Sequence, residues 1–356
     1  MLTPSPDRVA MPDPERDRCG GNDFRHLRYE AQLAAKAAII QDCLRRIAYV
    51  EWDHPVHVVP SPVQWRYRAR AEWAYDRETG ALGYRERQSH WICDVERDET
   101  LREELEAALQ DLRHRLRAGL VRPAPEFRGV VGDNGVDVVP TDRLVKAKVL
   151  EVAIAGLRYQ FDAYCFFQAN YAILPAMIEE IRRLAEAAPA LPHHIGRGTY
   201  VPRRVAVELY CGVGLLTLAL APGFDRFHGV EAQHRSATFA KRNAAAAGLE
   251  QVRIAAVPAE VWLAERGRAV DPVSLLVVDP PRGGMEAETL RGVIRLRPAH
   301  IIYVSCDPAT LSRDLKDLVA SGYTLDAITG FDMFPQTHHV ETVAHLRQEG
   351  DAAGAA

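Results

Sequence analysis

From about residue 166 onward, short apolar runs alternate with helix-like segments, and no other feature limits the fold so tightly. Runs at about 204–210, 226–231, 251–256, 274–279 and 300–305 read as strands, and a helical stretch around 234–247 follows the second. Strands separated by helices must cross over to pair in parallel, so the pattern predicts a doubly wound α/β sheet covered on both faces. Two further runs, at 323–331 and 340–347, follow one another without a helix, which predicts at least one antiparallel strand.

The chain before this region reads differently. Residues 27–47 have helical composition. Between 65 and 76, Trp65, Tyr67, Ala69, Ala71, Trp73 and Tyr75 alternate with Arg66, Arg68, Arg70, Glu72 and Asp76, a period of two that predicts a half-buried strand. A turn around Arg77 to Gly80 leads to a second strand at 82–85, a charged helix covers 98–118, and strands follow near 127–132, 135–139 and 143–154. Three parts result: an N-terminal extension with a helix (1–60), a smaller α+β domain (61–165) and the doubly wound domain (166–350). The His-, Gly- and Arg-rich stretch 193–204 reads as a flexible connection.

The formal net charge of -4 excludes a globally basic nucleic-acid protein, so any RNA contact must come from a local patch. Arg66, Arg68 and Arg70 on one strand face suggest such a phosphate-binding row. The six cysteines are scattered without a C-x-x-C, which predicts reduced thiols in a cytosol. No run of about 18 apolar residues predicts a membrane span, and no N-terminal apolar region predicts a signal peptide.

Four predicted strand ends carry chemistry. In open α/β sheets ligands bind at the carboxyl ends of strands. The first strand enters Glu208-Leu-Tyr-Cys-Gly-Val-Gly214, where Gly212 and Gly214 allow a tight turn and close backbone approach to a ligand. Glu231 ends the second strand, where a carboxylate can bind ribose hydroxyls. Asp279 opens Asp-Pro-Pro-Arg at the end of the fourth. Cys306 lies between the run 301–304 and Asp307-Pro308, an N-cap followed by proline at the first helical position. A helix N-terminus favours thiolate over thiol.

With Phe166-Phe-Gln-Ala-Asn170, Ser305-Cys-Asp-Pro-Ala-Thr310 and Phe334-Pro-Gln-Thr-His-His-Val-Glu341, the chain resembles the bacterial S-adenosylmethionine-dependent RNA (uracil-5-)-methyltransferases over about residues 13–347. The resemblance implies a Rossmann-like class I methyltransferase sheet, S-adenosyl-L-methionine as cofactor, and C5-methylation of a uridine in structured RNA. The implied RNA is 23S rRNA, with tRNA as the alternative. It makes Cys306 the nucleophile and Glu341 the base, and assigns Tyr210 and Glu231 to the cofactor, beside Gly212 and Gly214. Gln168 and Asp279 meet the uracil edge or the cofactor. It further implies a cytoplasmic enzyme, no membrane contact and a monomer. Leu215 and Pro258 depart from the usual cofactor-loop residues, and Glu208 and Asp307 are milder replacements. A non-catalytic RNA-binding or assembly factor of the same descent is the reading from a different class.

Many members hold an iron–sulfur cluster through four cysteines. Here Cys19 keeps one position, Asp13, Asn22 and Asp98 replace the others, and Cys93 lies five residues before Asp98. Thiolates are the expected ligands, so no cluster is expected. Neighbouring His338 and His339, if on a strand, point to opposite faces and predict no metal site.

Overall fold

The computed structural model describes residues 5–10, 19, 22–86, 89–140, 147–196, 198–265, 267 and 272–349. Helix α1 (Tyr29–Cys43) runs into a π turn over Leu44–Ala48, which Tyr49 closes in the left-handed conformation. Strand β1 (His57–Val59) follows.

The α+β region contains β2 (Arg70–Tyr75), β3 (Leu82–Arg85), β4 (Ile92–Asp94), helix α2 (Glu103–Arg117), β5 (Glu126–Gly132) and β6 (Gly135–Val139). The strands form an antiparallel sheet in the order β4-β3-β2-β5-β6. Leu105, Leu109, Leu112 and Leu116 recur at helical spacing along α2 and bury one face against Trp73 and Phe127. A hairpin, β7 (Leu150–Ile154) and β8 (Leu157–Phe161), leads onward. Residues 143–146 of the strand expected near 143–154 lie outside the described residues.

The strand expected from residue 65 begins only at Arg70. Arg66 has φ 56°, which turns the chain out of extended geometry, and Arg68 makes only isolated bridges to Leu101 and Asn170. The arginine row therefore does not form. The Arg66 guanidinium meets Glu106 at 2.6 Å, Arg68 Nε donates to the Arg70 carbonyl at 3.1 Å, and Arg70 donates to the Cys165 carbonyl.

Helix α3 (Leu174–Glu186), β9 (Leu191–Gly196) and β10 (Thr199–Arg203) precede the large sheet. The stretch expected to be a flexible connection is instead the β9–β10 hairpin, paired from Leu191–Arg203 inward. There follow β11 (Val205–Leu209), α4 (Leu215–Leu220), β12 (Arg226–Val230), α5 (His234–Ala246), β13 (Val252–Ala255), α6 (Ala259–Glu265), β14 (Leu275–Val278), α7 (Ala287–Leu296), β15 (His300–Ser305), α8 (Pro308–Ala320), β16 (Tyr323–Phe331) and β17 (Glu341–Gln348). The sheet order is β1-β16-β17-β15-β14-β11-β12-β13. All neighbours pair in parallel except β17, which is antiparallel to both β15 and β16, as the helix-free connection requires. This is the Rossmann-like class I methyltransferase arrangement.

Side chains alternate between the two faces. Val277 and Val304 pack under α3, α4 and α5, where Ile178, Leu216 and Phe239 contribute. Val278 and Tyr303 pack under α1, α6, α7 and α8, where Ile40, Trp262, Leu290 and Leu315 contribute. β1 forms the edge beyond β16, with Val58 buried against the same second core, so residues 29–59 pack on the large sheet.

The expectation of wholly reduced cysteines is corrected. Cys19 bridges to Glu86 and so lies against the β3–β4 hairpin, where it is disulfide-bonded to Cys93 with the two Cα atoms 5.7 Å apart. Asp98 is buried and accepts hydrogen bonds from the Tyr84 hydroxyl at 2.7 Å and the Thr100 amide at 2.9 Å, while Asp13 lies outside the described residues. Among the described residues no helix is long and apolar enough to cross a membrane.

Candidate active site

The carboxyl ends of β11, β12, β14 and β15 point the same way because these strands are parallel, and each hands over to a residue singled out in the sequence. After β11 the chain turns sharply. Tyr210 (φ 63°), Gly212 (φ 54°) and Gly214 (φ 94°) are left-handed, and Gly214 caps α4. A Cβ on Gly212 would meet no neighbouring atom, so it is the left-handed backbone that favours glycine there. Glu231, just past β12, reaches across to this loop. Its carboxylate accepts from the Gly212 amide at 3.0 Å and from the Gln233 amide at 2.7 Å.

A cavity of about 790 Å³ opens beside these ends. Its walls include Tyr210 after β11, Ala232 after β12, Pro258 after β13 and Pro281 and Gly283 after β14. The volume lies in the ordinary range for a small-molecule site. Four successive strand ends thus contribute to its wall, and Glu231 immediately precedes the lining residue Ala232. Of the six residues expected to bind cofactor, Tyr210 lines the cavity itself. Gln168 is buried on another segment, whose Asn170 donates to Ser61 Oγ at 2.9 Å and to the Met333 carbonyl at 3.3 Å.

Cys306 and Glu341 meet through strand register. Ser305 at the end of β15 pairs with Thr342 of antiparallel β17, so the next positions, Cys306 and Glu341, face each other across the strand ends. Asp279 follows β14 on the adjacent strand, whose Val278 pairs with Tyr303. Asp307 caps α8 as expected, accepting from the Ala309 amide at 2.8 Å and the Thr310 amide at 3.2 Å.

The expected thiolate does not follow from that helix end. Burial pushes the Cys306 thiol up to about 11, and the Glu341 and Asp279 carboxylates push the same way. The Arg282 guanidinium opposes them. Glu341 is itself buried and held above the carboxylate range by desolvation, with Asp279 adding to the shift and Arg282 opposing it. Asp279 is raised by desolvation as well. Two carboxyls that share an apolar site and feel one another retain a proton more readily than either would in water.

Arg282 is the functional candidate that sequence reasoning did not single out. It acts on Cys306, Glu341 and His339 alike, and its carbonyl accepts from the Thr310 hydroxyl at 3.1 Å. Its place directly after Asp279-Pro-Pro was the available signal. His338 and His339 do not sit on a strand. They lie in the loop before β17 with ring centroids 4.1 Å apart, and burial lowers His339 to about 4. Among the described residues no group of three or more His, Cys, Asp or Glu side chains could hold a metal ion.

Residues 92–349 match the family model described as tRNA (Uracil-5-)-methyltransferase. A protein of Thermosynechococcus vestitus named an uncharacterized RNA methyltransferase is 31% identical over 401 aligned positions, covering 97% of this chain and 86% of its own. The tRNA (uracil(54)-C(5))-methyltransferase of Schizosaccharomyces pombe is 27% identical, covering 97% of this chain and 67% of its own. Among solved structures, the Pyrococcus abyssi tRNA (uracil-54, C5)-methyltransferase in complex with S-adenosyl-L-homocysteine superposes with a TM-score of 0.70 at 22% identity, covering 97% of this chain and 88% of that one. Family match, near full-length relatives and shared fold agree: the chain belongs to the tRNA (uracil-5-)-methyltransferase family.

Proposed function

We propose that this enzyme, an S-adenosylmethionine-dependent RNA (uracil-5-)-methyltransferase, methylates its uridine through a covalent bond between Cys306 and uracil C6. The observation that carries the reading is the Cys306–Glu341 juxtaposition at the ends of β15 and β17, next to Asp279. A tight turn or a buried structural cysteine would not need two carboxyls in a desolvated site.

When bound, S-adenosylmethionine supplies an electrophilic methyl group on a positively charged sulfur. C5 of uracil is a poor nucleophile on its own. The Cys306 proton passes to water, the sulfur electron pair forms a bond to C6, and the C5=C6 pair moves to make C5 nucleophilic towards the methyl group. After methylation C5 carries one proton too many. The Glu341 carboxylate takes it, the C5–H pair restores C5=C6, and the sulfur leaves with its electrons. Burial raises the basicity of Glu341, which suits it to that removal. Asp279 and Gln168 meet the uracil edge or the cofactor, while Tyr210, Gly212, Gly214 and Glu231 hold the cofactor. The uridine must be unstacked to reach a strand-end thiol. In this scheme 166–350 carries the chemistry and 61–165 meets the RNA.

Two RNAs remain as substrates. The motif resemblance implies 23S rRNA as the first. The relatives with named substrates act on uracil 54 of tRNA, which supports tRNA as the second reading. Assaying unmodified 23S rRNA and tRNA transcripts in parallel, and mapping 5-methyluridine in the product, decides between them. The mechanism is tested with the same RNA carrying 5-fluorouridine, since fluorine cannot leave as a proton does. Wild type should form a protein–RNA adduct and Cys306→Ala should form none. Substantial methylation by Cys306→Ala overturns the mechanism and favours a structural cysteine.

A further inference from the structure

The loop of residues 332–340, which joins β16 to β17 and delivers Glu341, is held from the far end of the chain. Lys36 of α1 pairs with Asp332 and donates to the Phe334 carbonyl at 3.0 Å. The Tyr29 hydroxyl donates to Asp332 at 2.6 Å and accepts from the Ser61 amide at 2.8 Å. Gln32 and Gln336 form a reciprocal pair: Gln32 Nε2 donates to Gln336 Oε1 at 3.0 Å, and the Gln336 amide donates to Gln32 Oε1 at 3.0 Å. The Lys36 and Asp332 side chains are wholly buried.

A buried ion pair is a poor route to stability, because desolvating two charges consumes most of what their attraction returns. Its distinctive property is geometric. Any shift of the loop strands both charges without solvent, so a single arrangement is enforced. β-pairing ties residue 341 to Phe331 of β16 and residue 342 to Ser305 of β15, so regular pairing of β17 begins at Glu341 itself. The side from which a base must enter is set by the loop, which has no regular secondary structure between β16 and β17.

We propose that Lys36, through Asp332, is a positioning residue for the Glu341 carboxyl, and so acts selectively on removal of the C5 proton rather than on attack by Cys306. The inference rests on the assignment of Glu341 as base. Lys36 touches no reacting atom; its effect passes through the loop. A displacement of about 1 Å at a reacting group can cost on the order of 10²-fold in rate.

The test uses the full-length enzyme, whichever of the tRNA or 23S rRNA transcripts it methylates, and methyl-labelled S-adenosylmethionine. Lys36→Met should form the 5-fluorouridine adduct at a rate within about twofold of wild type, because that adduct needs no proton removal. With ordinary uridine its turnover should fall on the order of 10²-fold, and methyl-labelled protein–RNA adduct should accumulate, as it should in Glu341→Gln, which lacks the base. The double variant Lys36→Met/Asp332→Leu removes both charges, so it should melt above Lys36→Met yet keep the elimination defect. If Lys36→Met does not fold, this double variant and Tyr29→Phe decide on the same criterion. Wild-type turnover in the folded variants, or equal loss of both steps, overturns the positioning role. If wild type gives no 5-fluorouridine adduct the covalent reading fails, and if Glu341→Gln gives no methylated adduct the base assignment fails; either outcome takes this inference with it.

Discussion

At Cys306, burial and nearby carboxylates outweigh the helix end and favour the thiol over the thiolate. Burial, Glu341 and Asp279 hold Cys306 up at about 11, so at neutral pH only a small fraction is thiolate. Below its pKa the thiolate fraction rises about tenfold per pH unit, and alkylation follows that fraction. In the ligand-free enzyme, iodoacetamide labelling of Cys306, followed by peptide mass spectrometry against Cys306→Ala, should therefore climb through pH 7–10 without a plateau. A plateau near pH 7 would mean that the helix end prevails over burial and the carboxyls. Position at a strand-to-helix turn was legible in the sequence, because Asp307-Pro308 writes the cap. The sign of the thiol shift was not. It depends on how closely Glu341, 35 positions away in sequence, is brought to Cys306 by β15–β17 pairing.

At the scale of the element, the strands of the large sheet were readable because burial on both faces leaves continuous apolar runs. The strand near residue 65 was misread for an equally local reason. Alternation of aromatic and arginine residues satisfies the period of two, yet the left-handed backbone of Arg66 interrupts it, and nothing in the side-chain pattern announces that. Within β11, Glu208 is a polar residue in a wholly buried strand. It accepts a hydrogen bond from the Thr217 hydroxyl, and burial raises it to about 8. The folded state therefore binds a proton that the unfolded state releases above about pH 4.3. Stability from this group is fully present below the unfolded pKa and is lost as pH rises to about 8. Glu208→Gln should flatten the fall in denaturation midpoint between pH 5 and 8, with the largest gain at the alkaline end. A wild-type midpoint that is constant over this range would contradict the protonated carboxyl.

For the whole molecule, the two cores on either face of the sheet follow from the alternation of Leu276 and Val278 with Leu275 and Val277. Long-range pairings were less legible, since sequence patterns report period and not partner. The Cys19–Cys93 bridge joins residues 74 apart. A crosslink of that span stabilises by about 2–4 kcal/mol, so Cys93→Ser should lower the unfolding free energy by about that amount in denaturant titrations. Protein denatured without reductant should titrate four of its six thiols. Six titratable thiols would leave the pair unbonded. The buried pair of Lys36 and Asp332 spans far more, 296 residues. During synthesis the N-terminal helix leaves the ribosome long before the segment bearing Glu341, and it must wait with an unpartnered lysine on a face destined for burial. β17 can pair with β15, and so bring Glu341 opposite Cys306, only after both strands have been made. The contact that steadies the loop before Glu341 is thus among the latest that the growing chain can make.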